Sequence, residues 1–396
     1  MSQGLVTAID IHDLDLWGRA RGLHPRSFDL EITARCNHDC RHCYINLPAG
    51  DHEARSRELS LEEITRIAGE AVSMGALWCL VTGGEPLLRE DFSEIYLTLK
   101  RLGLLVVVFT NACLVTPRHV ELFRRYPPRD VEATVYGATQ ATYERVTRRP
   151  GSFAAFRGGL DLLVDGGVPV RLKAMVLRSN VHELDEISRF CRQRTKDFYR
   201  YDPLLHLRYD GNQERNEAIR AERLGPAEIV AIERADRERF GALVRQCEPL
   251  FRPASPNAAG DRLFRCGAGA ATFTVGCDGT FRLCSSLCHP ETIYDLRAGT
   301  LAEAYRQVVP RVRGMDSDRP EFLDHCGGCG LADLCLCCPA HAALETGQMD
   351  GWVPYYCECA HARADALRQE VSAKGNCSPH PNLPVCPPET AGANPG

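Results

Sequence analysis

From Phe28 to about Leu207 the chain alternates short β-rich apolar runs with longer stretches whose apolar residues recur every three or four positions. The short runs predict strands at FDLEIT (28–33), WCLVTGG (78–84), LVVVFTN (105–111), DVEATVYG (130–137), PVRLKAMV (169–176) and FYRYDPLLHL (198–207). The segments between them predict helices: LSLEEITRIAGEAVSMG, DFSEIYLTLKRLG, TPRHVELFRRYP, SFAAFRGGLDLLVDGG and NVHELDEISRFCRQR. In the first of these, Ser60 and Glu63 have the spacing of a capping box, and Leu61, Ile64, Ile67, Ala68 and Ala71 form a helical stripe. Gly75, Gly103 and Gly166–Gly167 stand where helices stop.

Strands joined through helices by right-handed crossovers make a parallel sheet covered on both faces. The expected fold class is α/β, an open, partial (β/α)6 TIM-like barrel, with ligands gathering at the carboxyl ends of the strands. Past Arg208 the pattern changes: 208–224 reads as a charged connecting loop, and 225–246 as a bridging helix opened by Gly225–Pro226. Beyond Cys247, cysteines become dense while long periodic segments disappear, the mark of a small cysteine-rich domain held by metal rather than by a large core. The expected division is an N-terminal extension (1–27), the barrel (28–207), a linker with its bridging helix (208–246), the cysteine-rich domain (247–362), and a helix end with a tail (363–396). The tail from Lys374 is rich in Pro and Gly and is expected to be disordered, despite Cys377 and Cys386.

Charge then narrows the function. A net charge of -5 and a pI near 6.2 leave no surplus of cations for a phosphate backbone or an anionic membrane, which argues against nucleic acid as a partner. No apolar run approaches the roughly 20 residues of a membrane span, and the N-terminus lacks a basic segment followed by an apolar one, so a cytoplasmic protein is expected. Twenty cysteines in such a chain need an explanation other than disulfides. Thiolate ligation of metal supplies it. Cys79, Cys113, Cys191 and Cys247 stand alone, the first three in apolar or helical contexts that suit buried, inert thiols.

Directly after the first strand comes EITARCNHDCRHCYIN, with Cys36, Cys40 and Cys43 spaced Cys-x3-Cys-x2-Cys. Three thiolates on one tight loop reach three corners of a cuboidal cluster and leave one iron open to another ligand. A zinc site completed by His38 or His42 is the alternative. The loop, continued by Tyr44, resembles the cluster-binding loop of the radical S-adenosylmethionine superfamily. Gly83–Gly84–Glu85–Pro86, after the next strand, resembles that family's GGEP motif, whose backbone meets the methionine amino group; two glycines allow close approach, and Pro86 fixes the turn. The resemblance implies a 4Fe–4S cluster, S-adenosyl-L-methionine as cofactor, and contacts to its ribose, carboxylate and adenine from Asn111, Thr134, Tyr136, Lys173 and Asn180, with Lys173 placed to neutralise the carboxylate. It also implies the chemistry: one-electron reduction of the cluster, cleavage of the sulfonium, and hydrogen abstraction by a 5′-deoxyadenosyl radical.

In the second half, CGAGAATFTVGCDGTFRLC reads as a hairpin turning at Asp278–Gly279 and carrying a cysteine at its end. Cys326, Cys329, Cys335 and Cys338 follow, then Cys357 and Cys359. This resembles the SPASM extension of radical maturases, which holds two auxiliary iron–sulfur clusters. The resemblance assigns Cys266, Cys284 and Cys338 to the first, its fourth ligand being Cys277, Cys288 or an open iron. It assigns Cys326, Cys329, Cys335 and Cys357 to the second. Cys337 competes with Cys338, because the run is one residue shorter than usual, and Cys359 competes with Cys357. Two zinc knuckles are the alternative.

The expected function is modification of a ribosomal peptide or protein, with a one-electron donor such as flavodoxin or ferredoxin. The stretch before strand one is expected to be too short for a leader-binding domain, so leader recognition would need a separate leader-binding protein or the SPASM surface. A small-molecule substrate (an aminocyclitol or tetrapyrrole, oxidised or decarboxylated) and a non-catalytic electron carrier are the competing readings. Arg171, Arg208 and Asp210 are polar candidates near strand ends, and Asp202, His206 and Tyr209 gather near the sixth strand. None is singled out as catalytic acid or base.

Overall fold

A computed structural model describes residues 24–195, 199–246, 260–332, 334, 335 and 337–373. The expectations for the N-terminal extension as far as residue 23, for Cys247, and for the tail with Cys377 and Cys386 lie outside the described residues.

Along the chain run β1 (Ser27–Thr33), the short strands β2 (Arg35–Cys36) and β3 (Leu47–Pro48), α1 (His52–Arg57), α2 (Leu61–Ser73), β4 (Trp78–Gly83), α3 (Phe92–Arg101), β5 (Leu105–Thr110), α4 (Pro117–Arg125) and β6 (Asp130–Val135). Then come α5 (Gln140–Thr147), α6 (Ser152–Asp165), β7 (Val170–Met175), α7 (Leu184–Arg194), β8 (Arg200–Asp202), α8 (Gln213–Glu222), α9 (Pro226–Ala235) and α10 (Arg237–Gln246). The second half holds β9 (Thr272–Val275), β10 (Thr280–Arg282), β11 (Tyr294–Asp295), α11 (Leu301–Arg313), the one-turn α12 (Pro320–Phe322), α13 (Pro339–Thr346) and α14 (Pro354–Ala373).

Strands β1, β4, β5, β6, β7 and β8 lie side by side and parallel, the partial barrel expected from the strand–helix alternation. Residues on the helix-covered face, such as Leu30, Val81, Val108, Ala133 and Leu172, are buried against the amphipathic helices. The opposite face is polar, carrying Asp29, Glu31, Glu132, Thr134 and Lys173. This is period-two alternation, with Leu80, Val107 and Phe109 as apolar members of the inner side.

Several expectations need correction. The sixth strand is only Arg200–Asp202, because Pro203 has no N–H to continue the ladder. The 208–224 segment is not all loop: Asn212 accepts the Arg215 N–H and caps α8. The bridging helix is two helices, since Asp236 turns extended between them and its side chain accepts the Arg239 N–H at the start of α10. Helix α5, capped by Thr139, carries too weak an apolar stripe to stand out in the sequence.

The largest correction concerns the cysteine-rich half. Long helices persist there, α11 and α14, and α14 runs through the boundary expected at 362. Strand β9 pairs parallel with β1, Phe28 opposite Phe273, so the hairpin extends the barrel sheet. Phe273, Phe281, Leu301 and Val308 join the same apolar core as the barrel residues. Cysteine density masked an ordinary hydrophobic core.

Candidate iron–sulfur and cofactor site

The loop bearing Cys36, Cys40 and Cys43 leaves β1 at its carboxyl end and is tied down on several sides. Gly84 N–H donates to Thr33 O (2.7 Å), Glu85 N–H to Arg35 O (2.9 Å) and Leu47 N–H to Ala34 O (2.8 Å). A Cβ on Gly83 would stand 2.1 Å from Thr33 O, and one on Gly84 2.2 Å from Arg35 O. The two glycines therefore let the turn come close to the chain's own backbone, where any side chain would collide with it. Pro86 opens a short turn, and the buried Glu85 carboxylate accepts from Thr110 Oγ1 (2.7 Å), Asn111 N (2.7 Å) and Leu87 N (3.0 Å). Burial pushes Glu85 up to about 7 against these hydrogen bonds. It clamps the ends of β4 and β5 beneath the loop.

Burial raises all three thiols, and for Cys40 the neighbouring Cys43 and Cys36 add to it. Cys36 accepts from His38 N (3.4 Å) and faces the Asn111 amide (3.9 Å); Cys43 accepts backbone N–H groups from Ile45 and Asn46. Three soft donors, desolvated and mutually repelling as thiolates, form a set that a cation would relieve. His38 and His42 are pushed down to about 4 by burial, and each leaves a buried Nδ1 without a protein partner. Among the described residues no three His, Cys, Asp or Glu side chains converge on the position of one bare metal ion. The donor set thus fits a cluster spread over three thiols better than a closed zinc site. Cys113, read as inert, lies 3.3 Å from His38 Nε2 beside this loop, whereas Cys79 and Cys191 are core residues.

The remaining candidates divide. Asn111 places its amide between Asn37 (2.7 Å) and Cys36. Thr134 on β6 is in register with Lys173 on β7, on the polar face. Lys173 pairs with Glu132 (3.2 Å) and lies 3.0 Å from the centre of the Phe109 ring; burial brings it down to about 8. Asn180 uses its side chain on the backbone, donating to Tyr136 O and Met175 O and accepting from Leu177 N, so it shapes the pocket through the main chain. Tyr136 lies against His42. Arg171 pairs with Asp130 at the amino ends of the strands, away from the site.

Tyr44 packs on His206 (4.6 Å between ring centres) and Tyr209 (4.8 Å). Beside it a cavity of about 340 Å³ opens between the barrel and the hairpin, lined by Glu31, Tyr209, Cys277, Arg282 and Cys288 among others. Arg282 forms a buried ion pair with Glu31 and donates to Cys288 Sγ (3.0 Å). The Tyr209 hydroxyl is buried without a protein partner. The sequence reading missed the Glu31–Arg282 pair, whose partners are 251 residues apart and share no motif.

In the second half, burial raises the Cys284 thiol to about 11, and Cys338 and Cys266 act on it. Cys335 is pushed up to about 12 by burial, with Cys357, Cys329 and Cys326 as charged neighbours. Cys359 is buried in the core, and its charged surroundings are Arg363, Glu358 and Glu233 rather than thiols. Cys337 faces Cys335 and Cys326 as well as Cys338. The charged surroundings of Cys277 and Cys288 include Arg282, Glu31 and Asp278.

Residues 30–191 match the family model described as the Radical SAM superfamily. The chain is 26% identical over 349 residues to the AdoMet-dependent heme synthase of Methanosarcina barkeri, covering 84% of this chain and 96% of that one. It is 27% identical over 363 residues to the mycofactocin maturase MftC of Mycobacterium tuberculosis, covering 88% and 87%. Its fold is similar to that of Streptococcus suis SuiB bound to the precursor peptide SuiA, with a TM-score of 0.63 at 15% identity, covering 84% of this chain and 76% of that one.

Proposed function

We propose that this chain, a radical SAM enzyme whose residues 30–191 form the superfamily's domain, modifies a ribosomally made peptide or protein. The observation that carries the reading is the desolvated trio Cys36, Cys40 and Cys43, tied to the Gly83–Gly84 turn at the carboxyl ends of the strands. These three would hold a 4Fe–4S cluster, with Gly83, Gly84, Glu85, Pro86, Asn111, Thr134, Lys173, Asn180 and Tyr44 around S-adenosylmethionine. When bound, the two cofactors supply a 5′-deoxyadenosyl radical that takes a hydrogen atom from the substrate. The protein's part is positional. Glu85 fixes the turn under the loop, Lys173 keeps a positive charge on the polar face, and Tyr44 and Tyr209 wall the cavity that a peptide segment would enter from the open side of the barrel. Cys266, Cys284 and Cys338, and separately Cys326, Cys329, Cys335 and Cys357, would hold two auxiliary clusters.

The maturase relative and the shared fold of a peptide-bound enzyme support a peptide substrate. The heme synthase relative supports a second reading, a tetrapyrrole substrate. The test is anaerobic. Reconstituted protein with dithionite and S-adenosylmethionine is expected to release 5′-deoxyadenosine, and Cys36→Ala is expected to lose both this product and a site-differentiated EPR signal. Peptides encoded beside the gene are then expected to change mass, whereas turnover of a tetrapyrrole alone would favour the second reading. Wild-type protein that yields no 5′-deoxyadenosine would overturn the proposal.

A further inference from the structure

The outer side of the Cys36 loop forms a second cavity, about 450 Å³, and Cys36 is part of its wall. Its charged lining is Arg148, Arg149, Arg208 and Arg215 against Asp39 and Asp210. In a chain of net charge -5 this is a local reversal of sign. Three of these cations also hold the loop from behind. Arg149 donates to Asn37 O (2.7 Å), Arg208 to Cys43 O (3.0 Å) and Arg215 to Cys40 O (3.5 Å). Arg148 is different: it pairs with Asp39 at 3.2 Å, its side chain is 45% exposed, and it ends α5 with φ 53°. That left-handed position favours glycine or asparagine, so the sequence keeps a charged side chain there at a conformational cost of about 1 kcal/mol.

We propose that this cavity is the docking site of a small acidic one-electron carrier protein. The inference rests on the reading that Cys36, Cys40 and Cys43 hold a reducible cluster, because such a cluster must receive one electron from outside while the same electron leaves the reduced carrier. An acidic carrier is drawn to the only sign of charge this wall has in excess, and seating it there brings its cofactor up to the Cys36 side of the loop. Carboxylates on the carrier would exchange with Asp39 for the exposed Arg148, while Asp39 keeps its second partner, Arg215.

The experiment compares two reductants on the reconstituted protein, with 5′-deoxyadenosine release as the readout. Dithionite needs no docking site; reduced flavodoxin does. Arg148→Glu is expected to lower flavodoxin-driven kcat/KM by about tenfold at low ionic strength and to leave the dithionite-driven rate unchanged. Arg148→Lys keeps the charge and is expected to stay within about twofold of wild type. Arg124→Glu, on exposed α4 away from the cavity, makes the same change in net charge and is expected to behave as wild type. Arg148→Gly relieves the backbone and is expected to raise the melting temperature while still weakening flavodoxin. Binding of oxidised flavodoxin, followed by flavin fluorescence anisotropy, is expected to weaken with added salt and with Arg148→Glu, with or without a cluster in the protein.

Equal flavodoxin-driven rates for Arg148→Glu and Arg124→Glu would overturn the docking site. A parallel loss with dithionite would also overturn it, by assigning Arg148 to the loop or to peptide binding. Absence of dithionite-driven product in wild type would instead sink the enzyme reading on which the site depends.

Discussion

Gly84 and Gly69 carry the same residue type and opposite expectations. An alanine Cβ at 84 would press into Arg35 O at 2.2 Å, where both sides are backbone and neither can yield. Gly84→Ala is expected to cost at least about 3 kcal/mol in urea unfolding of cluster-free protein and to lower iron retention. Gly69 lies inside α2 with nothing within 4 Å, and its alanine variant is expected to gain about 0.5–1 kcal/mol from helix propensity. Asp29 offers a pH test. Burial raises it from 3.8 to about 6, against the Thr274 hydrogen bond and the charges of Arg282 and Lys173. A carboxyl whose folded pKa is raised binds protons more tightly in the native state, so its contribution to stability falls as pH rises from about 4 to 6 and is flat above. Asp29→Asn is expected to remove that slope and to be more stable than wild type at pH 7 by about 1–2 kcal/mol, a value discounted for partial exposure. The cysteine motif was legible because thiolate spacing is a local property of the chain. The backbone approach at Gly83 and Gly84 was not legible, because their neighbours, Thr33 and Arg35, lie on other strands.

At the scale of elements, α14 separates two cysteines that the sequence left in competition. Residues 357 and 359 sit two positions apart on a helix, about 200° around its axis, so they face opposite sides. Cys357 looks toward Cys335, and Cys359 toward the core. Cys357→Ser is expected to lower iron per chain after anaerobic reconstitution, while Cys359→Ser keeps it at the wild-type value. Helix phase distinguishes the two only once the helix is recognised, and its apolar stripe is weaker even than that of α5. Strands β1, β4, β5, β6 and β7 were readable from their apolar runs. Helix α5 and the break at Asp236 depend on single capping side chains, Thr139 and Asp236, which weigh little in a periodicity.

Across the whole molecule, Glu31 and Arg282 join the barrel to the hairpin inside the core. Arg282→Met is expected to cost about 3–5 kcal/mol, because Glu31 is left buried without its cation. Adding Glu31→Gln is expected to recover most of that loss in the same unfolding assay, the signature of a pair rather than of lost packing. The open barrel could be inferred from strand–helix order. The shared core could not, since nothing local in residues 260–300 announces which distant strand they will join.

The parallel pairing of β9 with β1 also sets a timetable for synthesis. Ser27 leaves the ribosome some 245 residues before its partner Thr272, which at 5–20 residues per second is about 12–50 s. Through that interval the nascent barrel carries an unfilled flank with Phe28 awaiting Phe273. Chaperone cover during this window is therefore expected to raise the yield of folded protein in a foreign host.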